Sequence, residues 1–297
     1  MDSSESRSVK NVIQEHESSG KYFEVEGLRT FALDYGDKEA ETVFCIHGVP
    51  TSSFLYRKVL KSLAKKGYRA VSVDLPGLGL SARPENYDYS FPNFADFLSK
   101  AAKELNIQKY HLVVHDVGGP VGFALAANEP KKVLSITILN TWIDVENFQK
   151  PLVMRPFEKK FVGEAELKMI SHTTWPVMFS KMGVNSNEGI PSEEINAYVD
   201  LLKREDDGKA FLKIMRNFND SEEFQKLCYT AVQNVDYPVQ AVWGADDPAL
   251  TLERYGAEIK EVARLEEVTE LPSRHFLQEE VWLSIADKID AIAKARV

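Results

Sequence analysis

The feature that most constrains this chain is an alternation of short, continuous apolar runs with segments of helical periodicity. Runs such as Leu112-Val113-Val114 and Val239-Gln240-Ala241-Val242-Trp243 lack the every-other-residue polarity of a half-exposed sheet. They suit strands of a parallel sheet covered on both faces. Strands are predicted at 22–25, 29–35, 42–46, 69–73, 111–114, 133–139, 239–243 and 265–271. Helices are predicted between them at 56–66, 94–105, 121–129, 252–262 and 276–293. Such an order implies an α/β domain with a mostly parallel eight-stranded sheet, right-handed crossovers and helices on both faces.

The alternation stops over residues 142–225, which are helix-like and broken by Pro151, Pro156, Pro176 and Pro191. Ser192, followed by Glu193 and Glu194, is a helix-start signal inside this stretch. We read it as a helical cap inserted between two strands. The expected division is a polar tail at 1–20, a core at 21–141 and 226–297, and the cap at 142–225. A chain of 297 residues is long enough for one large core with such an insertion.

Composition bounds the partners. The formal charge of −9 argues against a surface that tracks phosphates, so no nucleic-acid partner is expected. Of two cysteines, Cys45 lies in the apolar run Val43-Phe44-Cys45-Ile46 as a small buried hydrophobe. Neither a disulfide framework nor a metal-ligand spacing is visible. The first twenty residues hold no signal-peptide apolar block, and no apolar run reaches the roughly twenty residues of a membrane span. The expectation is a soluble, cytoplasmic protein with no membrane partner, metal or cofactor. The sequence does not indicate the oligomeric state.

The most informative segment for chemistry is Val113-Val114-His115-Asp116-Val117-Gly118-Gly119. An apolar strand runs into a tight turn and a helix follows at once. A residue at such an apex is held in a strained conformation that requires small neighbours, and its side chain points over the carboxyl end of the sheet. The apex is Asp116, at the amino end of the next helix, where anions are stabilised. Taken alone, it could equally be an ordinary helix N-cap. Three further segments weigh against that reading. Ile46-His47-Gly48-Val49-Pro50 ends another strand, and the backbone N–H groups of Val49 and Val117 would form an oxyanion hole. Val242-Trp243-Gly244-Ala245-Asp246-Asp247-Pro248 offers two acids, either able to orient a histidine. His275, in Ser273-Arg274-His275-Phe276, is the one histidine of six placed after the last strand and before the last helix.

Together these residues resemble the haloalkane dehalogenase and epoxide hydrolase branch of the α/β-hydrolases. The resemblance runs from about Tyr22 to the end. It is carried by His47 to Arg57, Asp74-Leu75-Pro76-Gly77-Leu78-Gly79-Leu80-Ser81, His115-Asp116 and His275-Phe276-Leu277-Gln278-Glu279. It implies the α/β-hydrolase fold and a triad in the order nucleophile Asp116, acid Asp247, base His275. Asp247 is preferred to Asp246 because the family places its acid three residues after the glycine. Asn140 with Asp247 is similar to the dehalogenase subgroup that carries its acid late.

The implied activity is hydrolysis of a small apolar substrate by water through a covalent ester on Asp116, dehalogenase-like, with epoxide hydrolysis as the alternative. Val117 and Val49 stand where dehalogenases carry a tryptophan and an amide or acidic residue. Tyr198 is similar to one of the two cap tyrosines of epoxide hydrolases, and the other position holds Phe157 or a neighbour. Candidates for contacting the substrate or its leaving group are Trp175, Tyr198, Trp142, His172 and Phe276. A reading from a different class is a ligand receptor that kept the pocket and lost turnover.

Overall fold

The computed structural model describes residues 7–295. Eight strands form one sheet: β1 (Lys21–Val25), β2 (Leu28–Tyr35), β3 (Thr42–Ile46), β4 (Arg69–Val73), β5 (Tyr110–Val114), β6 (Val133–Leu139), β7 (Val239–Gly244) and β8 (Thr269–Leu271). Their order across the sheet is β1-β2-β4-β3-β5-β6-β7-β8. The β1/β2 and β2/β4 pairs are antiparallel, and every other pair is parallel. Strands β3, β4 and β5 are buried at every position, which is why their sequences read as unbroken runs.

Helices α1 (Val9–Ser18), α2 (Ser53–Lys65), α3 (Phe91–Glu104) and α4 (Gly118–Asn128) precede β6. The insertion between β6 and β7 carries α5 (Val162–Met169), α6 (Trp175–Met178), α7 (Ser192–Lys203), α8 (Lys209–Met215) and α9 (Glu222–Thr230). Helix α10 (Ala257–Val262) follows β7, and α11 (Leu277–Glu280) and α12 (Trp282–Lys294) follow β8. Helices α2 and α12 pack together, as do α3 and α4. The crossovers β3–α2–β4 and β5–α4–β6 move in opposite directions across the sheet, so right-handedness puts these two pairs on opposite faces. Ser52 caps α2 through a bond from Phe54 N, and Ser90 caps α3 ahead of Pro92.

The structure departs from the sequence expectations at four elements. Residues 9–18, expected as polar tail, form α1, capped by Ser8. Val12 and His16 fall on one helical face and are buried, with the His16 ring against Phe31 and Phe54. Sparse apolar residues at i and i+4 were enough, because the face had a surface to cover. The expected helix 252–262 begins with a wider turn at Leu252–Gly256 before α10. The expected helix 276–293 is divided at Val281, whose φ of −119° and ψ of 33° are not helical. The expected strand 265–271 shrinks to β8, which pairs only with β7 at the sheet edge. Among the described residues, no helix is long and apolar enough to cross a membrane.

Candidate active site

The carboxyl ends of β3, β5, β6, β7 and β8 deliver the residues that matter. Asp116, two residues past β5, has a φ of 53°. That conformation is rare for a non-glycine residue. It is held from both sides, since Asp116 N donates to Asn140 O at 2.9 Å and Thr141 Oγ1 donates to Asp116 O at 2.6 Å. The surroundings must stay small. A Cβ on Gly48 would collide with the Asp116 carboxylate, and one on Gly118 would meet the backbone of Ile46 and His47. Close approach thus explains the glycines of the two motifs, of the Asp116 side chain at Gly48 and of backbone at Gly118.

Val49 N donates to Asp116 Oδ1 at 2.7 Å. Val117 is helical and buried at the amino end of α4, where first-turn N–H groups have no intrahelical acceptor. The other carboxylate oxygen, Oδ2, lies 3.6 Å from His275 Nε2, too far for a hydrogen bond. His275 Nδ1 is 2.8 Å from Asp247 Oδ2, which assigns the donor proton to Nδ1. Asp247 is buried and fully engaged: Oδ1 accepts from Ala249 N and Leu250 N, and Oδ2 also accepts from Asn140 Nδ2 at 2.8 Å. Asp246 is exposed and accepts from Asn185. Of the two acids, the structure brings Asp247 to His275.

Burial pulls the His275 imidazole down, but the Asp247 and Asp116 carboxylates outweigh it and push it up to about 10. Burial raises the Asp247 carboxyl, yet the His275 charge and the bonds it accepts leave it lowered overall. His275 in this state is therefore an imidazolium between two carboxylates.

A largely apolar chamber opens over Asp116. Its walls include Met154, Phe157, Met178, Met182 and Phe211 from the β6–β7 insertion, with Trp142, Trp175 and Phe276. Trp142 stacks on Phe148 with centroids 3.9 Å apart. Trp175 Nε1 is buried on a chamber-lining residue and has no hydrogen-bond partner among the described residues. Tyr198 is placed elsewhere. Its hydroxyl donates to Glu279 Oε1, its ring stacks against Phe276, and it is not part of the chamber wall. His172 is exposed and paired with Asp200.

Two contributions escaped the sequence reading. His115, passed over as a base, donates from Nε2 to the His275 carbonyl at 2.8 Å, and burial holds its ring down at about 3, so it stays neutral. Arg57 and Glu279 form a buried ion pair that also engages Lys58, Glu194 and Tyr198. Charged residues inside otherwise helical patterns gave no hint of it. Asn140 grips both Gly244 and Asp247, and an amide directly after the apolar run Ile138-Leu139 is the signal for that role.

Residues 41–280 match the family model for the alpha/beta hydrolase fold. The chain belongs to the α/β-hydrolase family. It is 24% identical over 280 residues to an uncharacterized hydrolase of Saccharomyces cerevisiae, covering 89% of this chain and 93% of the relative. A haloalkane dehalogenase of Mycolicibacterium paratuberculosis is 24% identical over 270 residues, 88% of this chain and 86% of that protein. Among solved structures, the haloalkane dehalogenase DbeA from Bradyrhizobium elkani superposes with a TM-score of 0.76 at 24% identity, covering 93% of this chain and 99% of that one. The epoxide hydrolase CorEH superposes at 0.73 and 18% identity, over 93% and 98%. At such identities the structural likeness speaks for the fold alone.

Proposed function

We propose that this α/β hydrolase cleaves a carbon–halogen bond in a small apolar substrate through an ester on Asp116, and that residues 142–225 act as the cap that shapes the pocket. One observation carries the reading. A carboxylate at the strained apex has Oδ1 on the Val49 amide, Oδ2 beside the His275–Asp247 pair, and an apolar chamber above it. Asp116 Oδ2 attacks a saturated carbon, forming the C–O bond while the halide leaves with the bonding pair. The unpartnered indole N–H of Trp175 is a donor available to the departing halide. Tyr198 gives its hydroxyl to Glu279, which weighs against its protonating an epoxide oxygen.

Esterification removes the Asp116 charge and with it part of what holds the proton on His275. The imidazole then releases its Nε2 proton to solvent alongside the halide and becomes a base when water is needed. It deprotonates a water that adds to the Asp116 Cγ, with the oxyanion on the Val49 and Val117 amides. Collapse expels the alkoxide, which takes a proton from His275 as it leaves as the alcohol, while the proton of the new Asp116 carboxyl returns to the ring and restores carboxylate and imidazolium. The second carboxylate, Asp247, keeps the ring oriented throughout.

The test is the intact mass of a His275→Ala variant after incubation with haloalkanes and, separately, epoxides. The expected result is a stalled alkyl adduct on Asp116 from a haloalkane. An adduct from epoxides only would transfer the reading to epoxide hydrolysis. A folded variant that takes no adduct yet binds apolar ligands tightly would favour a receptor without turnover.

A further inference from the structure

Among the described residues, seven large hydrophobic side chains are strongly exposed, and six of them fall between 152 and 177: Leu152, Val153, Phe161, Val162, Met169 and Val177. Isolated exposed hydrophobes are ordinary, whereas a run of them such as Phe161, Val162 and Met169, the last two along one side of α5, has the composition of an interaction surface. The most exposed is Phe161, at 87%, and it has a φ of 66°. An aromatic residue in that conformation is held there by its surroundings. The turn around it is firmly tied. Gly163 N donates to Lys159 O, Val162 N to Lys160 O, and Arg216 donates to the carbonyls of Phe157 and Lys159. Immediately after it, α5 buries Gly163 and Leu167 and exposes Val162, Ala165 and Met169 along the other side.

Charge on this stretch runs against the rest of the molecule. Residues 150–181 hold six Lys and Arg against three Glu, in a chain whose formal net charge is −9. Two of those glutamates, Glu158 and Glu164, are bound to Lys150 and Arg216. Lys159, Lys160, Lys168 and Lys181 are exposed beside the hydrophobes. Lysine is depleted at protein–protein interfaces, whereas apolar side chains rimmed by lysine suit the boundary of an anionic bilayer. The surface also meets the chamber. Val153 is 44% exposed and lines it, and the exposed Val177 adjoins Met178, another wall residue.

We propose that this face docks on an anionic lipid surface, with Leu152, Phe161, Val162 and Met169 entering the headgroup boundary and the lysines contacting phosphate groups. The chamber mouth then opens toward the phase in which an apolar substrate concentrates. This departs from the sequence expectation of no membrane partner, which rested on the missing span. Peripheral docking needs none. The substrate part of the idea rests on the proposed function, while the docking itself does not.

The full chain is floated with vesicles of phosphatidylcholine containing roughly 30% phosphatidylserine, and with phosphatidylcholine alone. The expected result is at least tenfold more protein on the anionic vesicles, reduced several-fold in 0.5 M salt. Leu152→Ser with Phe161→Ser, and separately Lys159→Glu with Lys160→Glu, should each lose at least tenfold. All four positions are exposed, and circular dichroism checks that both variants fold. No recruitment of the wild type, or recruitment that neither variant reduces, would overturn the proposal. So would a concentration-dependent dimer, broken by Phe161→Ser, in a protein that ignores vesicles; a second copy would then cover the face. Vesicle binding is read without turnover, so its failure leaves the Asp116 chemistry standing. An inactive protein that still binds vesicles would leave the docking surface standing.

Discussion

The strand ends that carry Asp116, Asp247 and His275 and the β6–β7 insertion that faces them are built on opposite rules. At the strand ends the acid and the backbone around Asp116 are tied on several sides, although His115 Nδ1 is buried with no partner among the described residues. Asp247 alone accepts from Ala249, Leu250, Asn140 and His275, and the Asp116 backbone is tied to Asn140 and Thr141. The insertion offers the same chamber methionines, phenylalanines and the buried, unpartnered indole N–H of Trp175. Satisfied networks rigidify the atoms they hold, while apolar walls adapt. The contrast teaches a division of labour: hydrogen bonds set where Asp116, Asp247 and His275 sit, and shape decides what could reach them.

The largest way to break that contrast is to cut the network joining the two regions. Arg57 on α2 binds Glu279 beside the His275 loop and Glu194 on α7 of the insertion. An Arg57→Leu variant leaves the buried Glu279 with only Lys58 and Tyr198, and urea unfolding should show a loss of about 3 kcal/mol. Replacing Glu279 by leucine in the same chain should restore part of it. Full additivity of the two changes would mean that the pair is not coupled.

A smaller effect is expected inside the strand-end network. Asn140→Ala removes one donor from Asp247 and the clamp on Gly244. Leaving such buried groups unpaired costs about 1–3 kcal/mol. The turnover number should fall by about tenfold with KM nearly unchanged, since the ring orientation suffers and the chamber does not. A change confined to KM would place Asn140 in substrate binding instead.

The pH dependence sharpens the same point. Because the His275 imidazole is raised in the folded protein, its contribution to stability is fully present below about 6.5, its ordinary value. That contribution is lost as pH rises through about 10. In an Asp116→Asn variant one of the two stabilising carboxylates is gone, so the loss should be complete at a lower pH. Thermal midpoints of both proteins from pH 6 to 11 would show the displacement, and coincident curves would remove Asp116 from the cluster.

The smallest effect belongs to the chamber. Met182→Leu swaps one flexible wall residue for another of similar volume, and stability should change by less than about 1.5 kcal/mol. Relative rates across haloalkanes of increasing chain length should still shift. A large stability loss here would mean that the insertion is as tightly specified as the strand ends.

Much of the strand-end half was legible in the sequence for a local reason. Continuous apolar runs such as Val43–Ile46 announce buried strands, and glycines beside Asp116 and Val49 announce close backbone approach. Both are properties of neighbouring residues. The helix α1 was missed because its apolar face is only Val9, Val12, Ile13 and His16 in a polar stretch, and its partner surface lies far away in sequence. The break at Val281 was missed for the same reason. Arg57 and Lys58 draw in Glu279, while Ser273 and Asn185 engage Glu280, and no local signal of Pro or Gly marks the site.

The sequence by itself determined that the chain is an α/β protein and which short segments gather at the carboxyl ends of its strands. Those facts follow from periodicity and turn chemistry, which act over a few residues. Tertiary structure alone decided that Tyr198 turns to Glu279 and that Trp175 lines the chamber, and it joined His275 to Asp247, the acid that the resemblance had favoured. Each depends on side chains separated by tens of residues or more, and only packing in three dimensions fixes which polar atom finds a partner and which is left facing the chamber.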